Sequence, residues 1–243
     1  MLVSDIHLDA AGPRTAQAFF AFLERHACQA SSLYVLGDLF EAWPGDDAID
    51  LPFNAQVVES LRHVHEAGVA LYWMAGNRDF LLGPVFAAAA GLTILPDPSI
   101  VTIASRPILL AHGDAQCTDD SAYQMFRRQV RTPAWQAAFL ARPLSERLQL
   151  IAGMREGSRA AQRGKSADIM DVHPQAIADL VAASGTTCFI HGHTHRPALH
   201  RTQGDDGRAR TRYVLPDWDC EGTLPRGGGL AIGLDGSVLP LSL

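Results

Sequence analysis

The chain has no apolar stretch long enough to cross a bilayer. Its longest mildly apolar run, residues 84–95, is alanine-rich and broken by Gly91, and a spanning helix needs about 20 apolar residues. No basic segment followed by an apolar one opens the sequence, so no secretory signal is expected and the expectation is a cytoplasmic protein. Cysteine is scarce: Cys28, Cys117, Cys188 and Cys220 stand far apart, at no zinc-finger spacing. Reduced thiols are the expected state, because a chain of 243 residues needs no covalent staples. Low-complexity tracts and internal repeats are missing too, which excludes collagen-like, mucin-like and disordered classes. Lysine is almost absent, Lys165 being the one lysine among 20 basic residues. The net charge of -6 excludes a surface that attracts nucleic acid everywhere.

What is present is an ordinary globular balance, 47% hydrophobic and 19% charged. At this length one α/β domain over residues 1–243 is expected. Charge is uneven. Residues 115–175 carry nine Lys and Arg against six Asp and Glu, a basic segment on an acidic body. Such a segment fits either an anionic ligand or membrane surface, or a merely solvated helix face.

Five short apolar runs, 1–4, 33–36, 69–75, 108–111 and 187–190, read as buried strands. Only Met1 to Ser4 precede the first polar cluster, a short lead for a core strand. Helical periodicity over 15–26 and 54–66 alternates with the strands and predicts βαβ units on a central sheet. Residues 119–183 break that rhythm and read as helical throughout, over 119–130, from Thr132-Pro133 through Phe139, over 143–162 and over 174–183. The first three of these, within 119–165, form an expected inserted helical cap. Near the end, 213–215 reads as a strand and Asp235-Gly236 as a hairpin turn.

Each of the five strands is followed at once by polar residues. They are Asp5-Ile6-His7, Gly37-Asp38, Gly76-Asn77-Arg78-Asp79, His112-Gly113-Asp114 and His191-Gly192-His193-Thr194-His195. Side chains two apart on an extended strand share a face, so Asp5 pairs with His7 and His193 with His195. Ligands of open α/β sheets gather beyond the carboxyl ends of strands, where all five clusters would meet. Asp5, His7, Asp38, Asn77, His112, His193 and His195 supply more N and O donors than one ion takes. They suit two ions with Asp38 as a bridge, and mixed imidazole and carboxylate ligation favours Mn, Fe or Zn over Mg. Two-metal sites serve in-line phosphoryl displacement. His26, His63, His65, His173 and His200 fall in helices or loops and read as surface residues.

This ordered set resembles the calcineurin-like metallophosphoesterases, whose signature runs D-x-H, G-D, G-N-H-D/E, H and G-H-x-H. The resemblance implies a β-sandwich flanked by helices, with a dimetal centre at the strand ends. One metal would take Asp5, His7, Asp38 and His195, and the other Asp38, Asn77, His112 and His193. Arg78 stands where most members have histidine. Arginine gives up no proton in proteins but holds phosphate oxygens bidentately, so Arg78 fits a leaving group that needs no proton, such as a phosphate monoester. The strings 37–43, 76–81, 118–127 and 191–197 are similar to the branch of that family that hydrolyses UDP-2,3-diacylglucosamine in lipid A biosynthesis. That branch implies two Mn2+ ions and attack on the α-phosphorus by a hydroxide held at the dimetal centre, with UMP and 2,3-diacylglucosamine 1-phosphate as products. It implies a lipid-linked sugar nucleotide as substrate and a peripheral place on the cytoplasmic face of the inner membrane, with no nucleic acid and no obligate protein partner.

The same branch implies catalytic roles for Asp38, Arg78 and His193. It implies substrate contacts from Asn77, Arg78, Asp120, Ser158, Gln162, Lys165 and His193. Arg155, Ser158, Gln162 and Lys165 share one helical face by spacing. Asp79, Asp114 and His191 are expected to orient ligands. Trp135, Phe139, Leu140, Leu144, Leu148 and Ile151 would line an acyl-chain chamber or pack the cap. The alternatives are another metallophosphoesterase, such as a nucleotide pyrophosphatase or phosphodiesterase, and a non-catalytic scaffold of the same fold.

Overall fold

A computed structural model describes residues 1–162, 169 and 171–243, with the backbone alone for 158–162. Among the described residues the strands are β1 (Leu2–Val3), β2 (Ser32–Leu36), β3 (Ala70–Met74), β4 (Leu92–Leu95), β5 (Ser99–Ile103), β6 (Arg106–Ala111), β7 (Cys188–His191), β8 (Ala198–Gln203), β9 (Ala209–Val214), β10 (Gly229–Ile232) and β11 (Val238–Leu241). The helices are α1 (Pro13–Arg25), α2 (Pro52–Glu66), α3 (Pro84–Ala90), α4 (Ser121–Val130), α5 (Pro133–Leu140), α6 (Leu144–Gln162) and α7 (Pro174–Ser184). Proline opens α1, α2, α3, α5 and α7, where its missing N–H is no loss and its fixed φ suits the first turn.

Two sheets stack, as the resemblance to the metallophosphoesterases implies, where strand and helix alternation alone predicts one central sheet. The first has the order β11-β10-β1-β2-β3-β4, and the second β5-β6-β7-β9-β8. β1 to β4 run parallel, as do β6, β7 and β9. The chain leaves the first sheet after Leu95 and begins the second with the β5–β6 hairpin. A strand buried on both faces is a continuous apolar run in either sheet, so the runs alone do not say which sheet each joins.

Strand alternation builds three apolar layers. Leu2, Tyr34, Leu36 and Met74 of the first sheet meet Ile108, Leu110 and Ile190 of the second. Val3, Leu33, Val35, Leu71 and Trp73 face the other way, onto Phe19, Phe22, Val57, Leu61 and Phe86 of α1, α2 and α3. Leu109, Ala111 and Phe189 cover the outer face of the second sheet with Val181 of α7. β4, β5, β8, β9 and α3 go largely unread in the sequence. β8 is exposed along its whole length, so no apolar pattern marks it. His26 and His173 are half-buried, not surface residues: His26 packs on the Phe22 ring at 4.8 Å and His173 caps α7.

The helices of 121–162 lie over the carboxyl-end side of the sheets. Asp120 caps α4 by accepting from Tyr123 N at 3.0 Å, and Thr132 caps α5. Phe139 of α5 is buried in the core shared with α1 to α3, and Trp135 and Ile151 pack against it. Arg147 of α6 is fully buried, pairing with Asp47 and donating to the carbonyls of Pro44 and Arg142. None of the described helices is long and apolar enough to cross a membrane.

Candidate metal centre

Asp5 and His7 follow β1, Asp38 follows β2, Asn77 follows β3, His112 follows β6, and His193 and His195 follow β7. All seven side chains converge, but not by extended pairing. β1 ends at Val3, and Asp5, His7, Asp38, His193 and His195 have φ of 52, 53, 52, 67 and 54°. Non-glycine residues enter this left-handed region at a cost of order 1–3 kcal/mol each. Among the described residues only Ala104 and Ser105, in the β5–β6 turn, share it. The strain gathers where the donors meet. Close approach completes the arrangement: a Cβ on Gly37, whose φ is +85°, would lie 2.5 Å from His112 Nδ1 and 2.7 Å from the Gly76 Cα. Gly192 likewise leaves room for the Asp5 carboxylate.

Among the described residues two sets of donor atoms lie close enough to hold an ion, Asp5 with His7 and His195, and Asp5 with Asp38 and His112. His7 Nε2 is 3.2 Å from His195 Nε2. Asp38 Oδ2 stands between His7 Nε2 at 4.0 Å and His112 Nε2 at 3.7 Å. Asn77 Oδ1 is 2.9 Å from both His112 Nε2 and His193 Nδ1. Asp5 and Asp38 are buried, and Asp5 Oδ1 has no hydrogen-bond partner. Two buried carboxylates, one with an orphaned oxygen, facing four imidazoles are a fit for divalent cations of the N/O-binding kind. Asp5 belongs to both sets, whereas the sequence reading assigns it to one ion and gives the bridging place to Asp38.

Electrostatics follow from this crowding. Burial alone would raise the Asp5 pKa, but the close approach of His195 and the charges of His112, His195 and His7 hold it well below the carboxylate range. Burial opposes the charged form of His112, yet Asp38, Asp5, Asp114 and Asp97 push it up to about 9. His193 is pushed down to about 3 by burial and by the charge of His112. Asp79, buried beside Asp38, is pushed up to about 6.

A surrounding layer holds the donors. Asp79 accepts from the backbone N–H of Asp38 at 3.3 Å, Leu39 at 2.7 Å and Gly76 at 3.0 Å, locking two strand-end loops together. His7 Nδ1 is 2.9 Å from Glu41 Oε2, and His195 Nδ1 is 3.4 Å from Asp217 Oδ2. His112 Nδ1 lies 2.9 Å from the Leu36 carbonyl. Asp114 is buried and accepts from Tyr123 Oη at 2.5 Å and Arg127 Nε at 2.8 Å, so α4 is latched onto the loop that bears His112. Arg131 donates to the Gly76 carbonyl at 2.7 Å. His191 takes Arg212 Nη1 at 2.9 Å on Nε2.

Comparison with known proteins bears on this arrangement. The family model for calcineurin-like phosphoesterases matches residues 1–197. The chain belongs to the calcineurin-like phosphoesterases. Within that family it is 50% identical to the UDP-2,3-diacylglucosamine hydrolase of Aromatoleum aromaticum over 90% of this chain and 88% of that one. It is 48% identical to the UDP-2,3-diacylglucosamine hydrolase of Bordetella pertussis over 97% of this chain and 92% of that one. Among solved structures, an archaeal phosphodiesterase covers 100% of this chain and 98% of that one at 15% identity with a TM-score of 0.49. A calcineurin-like phosphoesterase works with divalent metal, and the donor sets above are the groups that could hold it.

In this calcineurin-like phosphoesterase five of the donors, His7, Asp38, Asn77, His193 and His195, line a cavity of ≈ 650 Å³ that residues of the cap helices α4, α5 and α6 also line. Arg78 and Asp120 line it too, as do Phe80, Trp135, Phe139 and Ile151. The Arg78 side chain makes no hydrogen bond to any described residue. Asp114, His191 and Asp79 do lie behind the donors. Arg155 donates to Glu41 and Asp9 rather than standing in an open stripe. Ser158 and Gln162 fall on the last turns of α6, where the backbone alone is described, and Lys165 lies outside the described residues. Glu41, Asp97, Arg131 and Asp217 escape the sequence reading as supports of the site. Glu41 sits inside the 37–43 string, but nothing in the sequence around Asp217 marks it.

Proposed function

We propose that the chain hydrolyses the diphosphate bond of UDP-2,3-diacylglucosamine, releasing UMP and 2,3-diacylglucosamine 1-phosphate. The observation that carries the reading is one cavity with two chemistries: five of the N and O donors, His7, Asp38, Asn77, His193 and His195, line it with Arg78, and so do the aromatic and aliphatic side chains of Phe80, Trp135, Phe139 and Ile151. The names of the relatives support the same reading. Asp5, His7, Asp38 and His195 would hold one Mn2+ ion, and Asp38, Asn77, His112 and His193 a second. Bound there, the ions supply an activated water and neutralise phosphoryl oxygens.

The chain's own groups do the rest. Arg78 grips the α-phosphoryl oxygens, and His193 faces the same place. The leaving group is a phosphate monoester, so no side chain has to protonate an alkoxide. Asp120, Ser158, Gln162 and Lys165 would contact the sugar-nucleotide head. Phe80, Trp135, Phe139 and Ile151 would take acyl chains, which gives the helices of 119–165 their place as a cap. Met125, Phe126, Leu140 and Leu148 are exposed on those helices beside Arg128 and Arg142. Such a surface suits peripheral contact with the anionic cytoplasmic face of the inner membrane.

The test is UMP release from UDP-2,3-diacylglucosamine by metal-stripped protein, with and without Mn2+, with UDP-glucose and bis-p-nitrophenyl phosphate as controls. Mn-dependent release from the acylated substrate alone is the expected result. Turnover of the small diester alone would overturn the substrate assignment and leave a general phosphodiesterase.

A further inference from the structure

His7 presents its two ring nitrogens in opposite directions. Nε2 faces the other donors, 3.2 Å from His195 Nε2 and 4.0 Å from Asp38 Oδ2. Nδ1 faces away, 2.9 Å from Glu41 Oε2 as a charge-pair contact whose N–H is not aligned on that oxygen. The other oxygen of Glu41 accepts from Arg155 Nη2 at 2.7 Å, and Arg155 Nη1 also reaches Asp9 Oδ2 at 3.4 Å. One carboxylate thus stands between an imidazole and a guanidinium.

The two sides of this carboxylate differ in how they are held. His7 and Glu41 are tied through the backbone: Leu8 N donates to the Leu39 carbonyl at 2.9 Å, and Glu41 N to the Leu8 carbonyl at 3.1 Å. Arg155 comes from α6, 114 residues further along the chain. It lies four residues beyond Ile151 and eight beyond Arg147, on the helix face that packs inward. A neutral imidazole binds a cation only through the nitrogen that lacks the proton, and a carboxylate behind the other nitrogen keeps the proton there.

We propose that Glu41 is a positioning residue that holds His7 in its metal-ligating tautomer, and that Arg155 makes this hold depend on α6 being seated. The inference rests on the reading of His7 as a metal ligand. Coupling between sites is reciprocal, so a cation at His7 tightens the seat of α6, and loss of that seat weakens the cation. Asp217 behind His195 is a contrasting case. Its arginine, Arg226, lies 2.8 Å away in the same connecting segment, so no cap helix enters that pair.

The test is a Mn2+ titration of untagged apo-protein by calorimetry, with hydrogen exchange of residues 147–157 measured with and without Mn2+. In Glu41→Gln one class of Mn2+ site weakens by about ten- to a hundredfold while the other holds, and kcat recovers at saturating Mn2+. Arg155→Met weakens the same class by a smaller factor and abolishes the Mn2+-dependent protection of 147–157. Unchanged Mn2+ affinities in Glu41→Gln, with a lower kcat, would overturn the positioning role. Should that variant not fold, the wild type still decides, because absence of Mn2+-dependent protection in 147–157 would overturn the coupling. Two-site Mn2+ binding without hydrolysis of the lipid nucleotide would sink the proposed function and leave this inference standing.

Discussion

Two residues separate this site from a generic donor cluster. Asp38 Oδ2 lies between His7 and His112, and Asp38 Oδ1 accepts from Arg78 N at 2.8 Å. Asp38→Ala removes a donor near both imidazoles, and turnover is expected to vanish in the UMP-release assay with Mn2+ stoichiometry reduced. The Arg78 side chain makes no hydrogen bond to any described residue, in keeping with the proposed grip of its guanidinium on substrate. Removing a preorganised donor of this kind costs a factor of about 10²–10³ in kcat. Arg78→Ala should therefore lose about that much while both Mn2+ ions still bind by calorimetry. Full activity in that variant would exclude the role. At this scale the donors were legible, because Asp, Asn and His placed directly after apolar runs have few other reasons to recur in order. Their supports were not. Asp217 and Asp97 act through contacts with His195 and His112 made across the fold, and no local pattern encodes such a contact.

Helix α6 is anchored by a buried charge. Arg147 bonds the Pro44 and Arg142 carbonyls and pairs with Asp47. Arg147→Met leaves two carbonyls short of a donor, at about 1–3 kcal/mol each when buried. Its melting temperature should fall by several degrees, with loss of helix protection concentrated in 144–157. The Asp47 pKa is lowered from 3.8, chiefly by the hydrogen bond from Arg147. A folded pKa below the unfolded one gives stability that is present above about pH 4 and is lost as pH falls through the folded value. The stability gap between the wild type and Asp47→Asn should therefore close on acidification, as thermal melts at several pH values would show. Helix positions were readable from proline starts and apolar spacing, to within one or two residues for α1, α2 and α7. The face α6 presents was less so. By spacing Arg155 belonged with Ser158, Gln162 and Lys165, but tertiary contact draws it onto Glu41 instead.

The whole molecule assembles the site from both sheets. Asp5, Asp38 and Asn77 leave β1, β2 and β3 of one sheet, and His112, His193 and His195 leave β6 and β7 of the other. A cation held between them binds the folded chain and not the unfolded one. Ligand at a hundred times its Kd adds about 2.7 kcal/mol, and about 2–4 °C accompany each kcal/mol in a chain of this size. Saturating Mn2+ should raise the melting temperature by about 5–10 °C and EDTA should reverse it; no shift in a melting scan would count against a metal centre between the sheets. By itself the sequence determined the α/β class, the order of the main strands and helices, and which seven polar side chains gather at the strand ends. Each of these follows from residue type and local period, which act within a few positions of the chain. Only the tertiary structure decided which strands join which of the two stacked sheets and that five of the donors sit in left-handed backbone. It alone placed Glu41 between His7 and Arg155. These are relations between segments distant in sequence, set by which apolar faces bury one another, and a local pattern leaves that choice open.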